Sequence, residues 1–316
     1  MDPQPQTAYP ERLTGSNFRL LELAIPPIEG FLDPSAGNLI SCTLTTFPLE
    51  ACPAYECISY AWDEPLANRG RVETTALINC VETTIAPNLA HAMRQRIAAV
   101  YAEPYRNQGG TAWFWIDAVC INQADCEERT IQVSIMHIIY RNSVKVLVWL
   151  GPDPDDEVYQ VREFFRAILQ QYYEMRGKYN YEPECFSRLQ HRSLEGTNLP
   201  RYEAAIWKAT VRFWDRAYFS RSWVLQEIAL AKQAEIWCGP TLFTRPELNE
   251  ISYFYTRSEL GKTLIPLRFA TSMIDRSYEG NMIGTSPLRF QAMRNLLAGN
   301  RSESANSKMF GDRLVG

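Results

Sequence analysis

The sequence predicts an α/β protein with a mainly parallel sheet flanked by helices. Trp113–Val119 (WFWIDAV) and Ser143–Leu150 (SVKVLVWL) are nearly continuous apolar runs of strand length, the pattern of strands buried on both faces. A stretch with helical periodicity separates them. Strand, helix and strand within about forty residues is the signature of a βαβ unit and so of parallel pairing. With 316 residues, 46% of them hydrophobic, the chain can bury a sizeable core, as one large domain or two ordinary ones.

The elements follow in order. Residues 1–16 are polar and Pro-rich and read as a flexible tail. Phe18–Leu23 (FRLLEL), Leu39–Thr46 (LISCTLTT) and Tyr55–Tyr60 (YECISY) are strand-like. Ala76–Ile85 has β-character on both sides of Asn79-Cys80, which reads as a hairpin. Pro87–Ala99 is helical, with Leu89, Met93 and Ile97 spaced by four. Asp125 precedes Glu128 by three residues, a capping-box spacing that starts a helix near Cys126. Ile131, Ile135, Ile138 and Ile139 form its expected apolar face. Gly151-Pro152 stops the following strand, and PDPDDE supplies a turn and an acidic helix start. Val158–Met175 then sets Val161, Phe164, Phe165, Ile168 and Leu169 on one face. Residues 176–202 lack periodicity and read as an insertion or long loop. Tyr202–Asp215 and Ser222–Lys232 are helical, Glu235–Cys238 is a short strand closed by Gly239-Pro240, and helical pieces are expected beyond 241. Arg301–Gly316 reads as frayed.

Composition narrows the function. Lys and Arg number 32 against 36 Asp and Glu, a net charge of −4, so the basic excess of a general nucleic-acid binder is missing. No apolar stretch reaches the ~20 residues of a membrane-spanning helix. The N-terminus lacks a basic region followed by an apolar run. Eight cysteines include no CxxC pair, and the three histidines (His91, His137, His191) show no metal-ligand spacing. Neither a metal nor a cofactor is expected, and a reducing cytoplasmic compartment is the default. GxSxG, Walker and GxGxxG signatures are missing as well.

Three constellations carry polar groups where an α/β sheet could use them. The first is Ser59-Tyr60-Ala61-Trp62-Asp63 and the second Trp115–Gln123 with Glu128-Arg129 behind it. Both follow a strand, and open α/β sheets bind ligands outside the C-terminal strand ends. Ser59, Trp62, Asp117, Asn122 and Gln123 are thus candidate ligand contacts, although turn chemistry and capping are the commoner uses of Asn122 and Gln123. Asp125, Glu128 and Arg129 read as a cap and ion pair. Cys120 reads as a buried small hydrophobe. The third constellation, Arg221–Glu227 (RSWVLQE), sets Trp223 and Glu227 on one helical face with Gln226 beside them. A Glu against an indole would be partly desolvated, which raises its pKa. The commoner arrangement at this spacing is a core Trp with Glu227 paired to Arg221 or Arg216.

Taken in order, YECISYAW (55–62), WIDAVCINQADCEERTIQV (115–133), IIYRNSVKVLVWLG (138–151), RSWVLQEIALA (221–231) and WCG (237–239) resemble the HET domain, the heterokaryon-incompatibility family of filamentous fungi. FRLLEL and INC…NLAHAMRQR are similar to that family's leading strand and its hairpin and helix. The likeness spans roughly 18–240. It departs at Asp63, where the family usually has Gly, and at Arg301–Gly316, a faint echo of the family's Pro-Arg-Asp-Lys-like segment.

The resemblance implies self/non-self recognition ending in regulated cell death, and a distant likeness to TIR domains with their flavodoxin-like parallel sheet. Ser222–Glu227 resembles the TIR pattern whose glutamate cleaves NAD, which falls on Glu227 as catalytic residue. Ser59, Trp62, Asp117, Asn122, Gln123, Arg221, Trp223 and Gln226 would then surround the substrate NAD. The implied partners are a second copy of the chain or another incompatibility protein, with a small-molecule nucleotide as ligand. Two alternatives stand beside this: a non-catalytic, self-assembling signalling module, and a HET-like scaffold acting on another small molecule. The expected layout is a tail over 1–16, the HET domain over 17–240 with an insertion at 152–202, and a helical extension over 241–316.

Overall fold

The computed structural model describes residues 7–23, 40–62, 74–102, 112–179, 199–200, 204–221, 227–228 and 230–257. Nine strands among them form one mixed sheet: β1 (Asn17–Leu23), β2 (Ile40–Pro48), β3 (Tyr55–Tyr60), β4 (Thr74–Ile78), β5 (Val81–Ile85), β6 (Trp113–Trp115), β7 (Lys145–Trp149), β8 (Ala234–Cys238) and β9 (Thr241–Thr244). Their spatial order is β5-β4-β2-β1-β6-β3-β7-β8-β9. The described helices are α1 (Pro87–Ala102), α2 (Asp117–Cys120), α3 (Cys126–Asn142), α4 (Val158–Tyr179), α5 (Ala205–Trp214) and α6 (Arg245–Arg257), with a 3₁₀ turn at Ala217–Ser220.

The chain divides into two compact units. Residues 1–162 and 212–244 form the first, which holds every strand of the sheet. Residues 163–211 and 245–316 form the second. Within the second unit Phe164 meets Trp207 edge-on with centroids 4.7 Å apart, and Arg166 reaches Glu247 at 3.0 Å.

The heart of the sheet is parallel. β3 runs parallel to β6 on one side and to β7 on the other, and β7 is parallel to β8. Every residue of β3 is buried, as its unbroken run of strand-forming residues requires of a central strand. The expected strand–helix–strand unit is present, with β3 inserted between its two strands. The N-terminal β region adds β1, antiparallel to both β2 and β6, and the β4–β5 hairpin. That hairpin turns at Asn79 and Cys80, with φ of 51° and 64°. Two consecutive left-handed residues suit a two-residue turn matched to strand twist. The Asn79 side chain anchors the turn by accepting from the Leu44 amide at 2.8 Å.

Four expectations need correction. The strand expected over 113–119 ends at Trp115, because the Val119 and Cys120 amides turn back onto the Ile116 carbonyl at 3.0 and 2.7 Å and wind α2. Phe114, Trp115, Ile116 and Val119 are buried all the same, and a short apolar run does not distinguish strand from helix. In α3 the buried positions are Glu128, Gln132, Ile139 and Tyr140, while Ile131, Ile135 and Ile138 are only partly covered. Beyond 241 the chain first forms β9, antiparallel to β8, before α6 begins. Residues 7–16 of the expected tail are held down. Leu13 is buried, Tyr9 donates to the Val119 carbonyl at 3.0 Å, and Arg12 pairs with Asp125 and Glu127.

Gly239 makes a tight turn possible between β8 and β9. Its φ is +51°, and a Cβ there would stand 2.6 Å from Cβ of Asp153. Asp153 meanwhile caps the start of α4, accepting from the Glu157 and Val158 amides at 3.2 and 2.9 Å. Gly239→Ala is therefore expected to lose about 1–3 kcal/mol from the combined strain and clash, read as a lowered urea midpoint.

The polar interior of α3 has a clear cause. Glu128, fully buried, faces the buried Arg19 of β1 with Nη1 to Oε1 at 2.6 Å. The same carboxylate accepts from the Leu13 amide at 3.0 Å and the Asn122 amide at 2.8 Å. Arg19 also donates to the carbonyls of Glu11 and Cys120 at 2.6 and 3.2 Å. Asp125 caps the helix by accepting from the Glu127 and Glu128 amides, both at 3.1 Å. The capping spacing is thus used in one direction, since Glu128 turns inward. Burial pushes the Glu128 carboxyl up, but Arg19 and the two amides outweigh it and hold it below its ordinary value. Glu128→Gln leaves Arg19 buried without a counter-charge and is expected to lose about 3–5 kcal/mol in chemical denaturation. A lowered folded-state pKa contributes stability above the ordinary carboxyl value, and that contribution is lost as pH falls through the lowered one. The gap between wild type and variant should therefore close in acid.

Candidate functional site

The candidate site lies where the parallel strands end, entirely within the first unit. Sheet register places its members. Cys57 pairs with Trp115 and Ser59 with Val148, so Asp117, two residues past Trp115, stands just beyond β6 at about the level of Ser59. Asn88, buried at the start of α1, ties two strand ends together. It donates to the Ala61 carbonyl after β3 at 2.7 Å and accepts from the Trp149 indole of β7 at 2.8 Å.

Ser59 donates to Glu227 Oε2 through a short hydrogen bond, and Ser59 Oγ lies 2.8 Å from the Tyr218 hydroxyl. Glu227 is only 3% exposed and lies in helical conformation with Ile228. Arg221 follows the 3₁₀ turn and donates to the Tyr60 carbonyl. The Trp62 indole, 46% exposed, donates to Asp117 Oδ2 at 3.0 Å. Asp117 also accepts from the Ala118 amide at 2.7 Å. A buried carboxylate, a half-buried one, a guanidinium and two hydroxyls are thereby gathered at the strand ends, under an oriented indole.

Burial pushes the Glu227 carboxyl from 4.5 up to about 7, although the Ser59 hydrogen bond and the Arg221 charge pull it back. Asp117 is raised too, first by burial, with Arg221 and the Trp62 hydrogen bond opposing. Burial also raises the phenols of Tyr60, Tyr140 and Tyr218 well above their ordinary range. They stay protonated at any working pH. A carboxyl desolvated in this way near a second carboxylate and a cation makes these strand ends the candidate site.

Ser59, Trp62, Asp117, Arg221 and Glu227 come together as a cluster. Asn122 does not join it by hydrogen bonding; its side-chain oxygen accepts from the Ala124 amide at 3.2 Å and its amide donates to Glu128. Gln123 supports the cluster from behind, donating to the Asp117 carbonyl at 2.8 Å, and its own carbonyl accepts from Arg129. Arg216 donates to the Pro152 carbonyl at 2.8 Å rather than reaching Glu227. Trp223 and Gln226 lie outside the described residues, as do Asp63 and Arg301–Gly316. Tyr218 was not singled out from sequence, because a tyrosine in a short 3₁₀ turn carries no periodic or motif signal. Cys120 is wholly buried, its thiol pushed up to about 12, which leaves it inert. No metal-ligating group of three or more side chains occurs among the described residues, and no described helix is long and apolar enough to cross a membrane.

Comparison with known proteins identifies the family. The family described as Heterokaryon incompatibility protein (HET) matches residues 55–227, from the first residue of β3 to Glu227 itself. The chain belongs to the HET family. This HET chain is also 25% identical, over 250 residues and 76% of its length, to Heterokaryon incompatibility protein 6, OR allele, of Neurospora crassa. It spans 35% of that relative's length. No solved structure matches. The HET match begins at the first residue of the strand that carries Ser59 and ends at Glu227, the acceptor of the Ser59 hydrogen bond.

The raised Glu227 pKa has a stability consequence. The folded state holds the proton up to about pH 7, whereas an unfolded Glu releases it near 4.5. Stability is therefore fully present below 4.5 and declines as pH rises through 7, by about 3 kcal/mol from a shift of this size. Glu227→Gln removes that decline. The variant should match wild type at pH 5 or fall slightly below it, and exceed it at pH 8, as read from urea denaturation at both pH values.

Proposed function

We propose that this HET chain acts in heterokaryon incompatibility, as an effector of self/non-self recognition that ends in regulated cell death, and that its cleft cleaves NAD between nicotinamide and ribose. The observation that carries the chemistry is Glu227, a desolvated carboxylate held by Ser59 at the ends of parallel strands. The role in incompatibility rests on the family and on the name of the Neurospora relative.

The TIR-like part of the reading draws support from topology. Numbered by chain order, the parallel strands β6-β3-β7-β8 run 2-1-3-4, the order of flavodoxin-like sheets. Such sheets bind ligands at the crevice where the strand order reverses, here between the ends of β3 and β7. Ser59 and Tyr60 form the end of β3 at that crevice.

Cleavage of the nicotinamide–ribose bond builds positive charge on the ribose, as in glycoside cleavage. The bonding electron pair leaves with nicotinamide, which departs neutral and needs no general acid. Water then adds to the ribose carbon and gives up its proton. The ionised Glu227 stabilises the developing oxocarbenium charge. In this reading Asp117 would accept from a ribose hydroxyl, and the Trp62 indole would stack on the face of a planar base.

The test is nicotinamide release from NAD by purified chain, dilute and concentrated. Wild type should release nicotinamide, with Glu227→Gln lower by about 100-fold or more. No release at either concentration, or equal release by the variant, overturns the chemistry. The self-assembling module and a different small-molecule substrate would then be the readings left for the same fold.

A further inference from the structure

Ser59, read from sequence as a substrate contact, has its only side-chain proton committed to Glu227. A serine hydroxyl has one proton and two lone pairs. The 2.8 Å contact with the Tyr218 hydroxyl must therefore run the other way, with Tyr218 donating to Ser59 Oγ. The direction of the whole chain follows: Tyr218 to Ser59 to Glu227. All three side chains are buried, at 0%, 1% and 3% exposure. Hydrogen bonds in series polarise one another and strengthen in a medium that excludes water. Only Oε2 of Glu227 is engaged in this way, and Oε1 carries no hydrogen bond from the described residues.

We propose that Tyr218 and Ser59 are positioning residues that hold Glu227 through Oε2, leaving Oε1 to face the reacting ribose carbon. This rests on reading Glu227 as the reacting carboxylate. The chain fixes the rotation of the carboxylate plane and favours its charged form, the one the reaction uses. A strand residue and a turn residue from distant parts of the sequence are brought together for it, and each is shielded from competing water.

The other groups that bear on Glu227 come from several described elements. β3 contributes Cys57 and Tyr60, α2 contributes Asp117, α3 contributes Tyr140, and the segment after the 3₁₀ turn contributes Arg221. Asp117 opposes ionisation of Glu227 and Arg221 favours it, while the three phenols and the Cys57 thiol remain protonated. Changes at Tyr218 or Ser59 leave both Asp117 and Arg221 in place. A change confined to Tyr218 or Ser59 should therefore shift the titration of Glu227 without altering the charge of any neighbour.

The experiment follows the side-chain carboxyl carbons of ¹³C-labelled glutamate in the full chain by NMR, with the Glu227 signal assigned by its loss in Glu227→Gln. The wild-type midpoint is expected near 7. Tyr218→Phe keeps the ring and removes the donor, and should raise the midpoint by about half a unit; Ser59→Ala should raise it by about one unit or more. Ser59→Thr restores the hydroxyl and should return it to the wild-type value. The acid limb of nicotinamide release should move by the same amounts. Midpoints unchanged or lowered in both Tyr218→Phe and Ser59→Ala overturn the proposal. If wild type releases no nicotinamide at any pH, the NAD reading fails by itself, and the carboxyl titration still decides whether the chain governs Glu227.

Discussion

A single buried ion pair, Arg19 with Glu128, ties together pieces of chain that are far apart in sequence. Arg19 sits on β1 and reaches the carbonyl of Glu11 and the end of α2 at Cys120. Glu128 sits on α3 and accepts from the amides of Leu13 and Asn122. The N-terminal segment, the β elaboration, α2 and the loop before α3 thus converge on two side chains. A buried pair of this kind is not the most stable filling for a core, since apolar residues of equal volume often do as well. Its contribution is geometric. It fixes the end of α2 at Cys120 and the loop that follows it.

Two buried glutamates make an instructive contrast. Glu128 is fully compensated by a guanidinium and two amides, and its carboxyl stays below the ordinary value. Glu227 is buried to a similar degree but receives one serine hydroxyl and a more distant guanidinium, and its carboxyl rises to about 7. The same residue type in the same kind of interior serves opposite ends according to how many donors meet it. The first holds the fold. The second leaves an under-compensated carboxyl at the strand ends, at a cost in stability above its ordinary titration range.

Much of the fold could be read locally. The unbroken strand-forming run at Tyr55–Tyr60 marked β3 to the residue, and β-character on both sides of Asn79-Cys80 marked the hairpin. The Asp125 cap was legible from its side chain and the helix that follows. Trp113–Val119 was misread, because a run of apolar residues says that a segment is buried and not what it is buried as. The face of α3 was misread as well. Glu128 and Gln132 turn inward to reach Arg19 and the Asn17 carbonyl, partners over a hundred residues away, and helical periodicity contains no term for them.

The same division holds at the site. The sequence by itself determined the family, the parallel character of the central sheet and the candidates Ser59, Asp117, Arg221 and Glu227, because motif order and strand pattern are properties of short segments. Only the tertiary structure decided that β3 lies between β6 and β7, that Ser59 donates to Glu227, and that the Tyr218 hydroxyl lies beside Ser59. Those contacts join residues 159 and 168 positions apart. They exist only when the sheet register brings the strand ends together, and the burial that raises Glu227 comes into being with them.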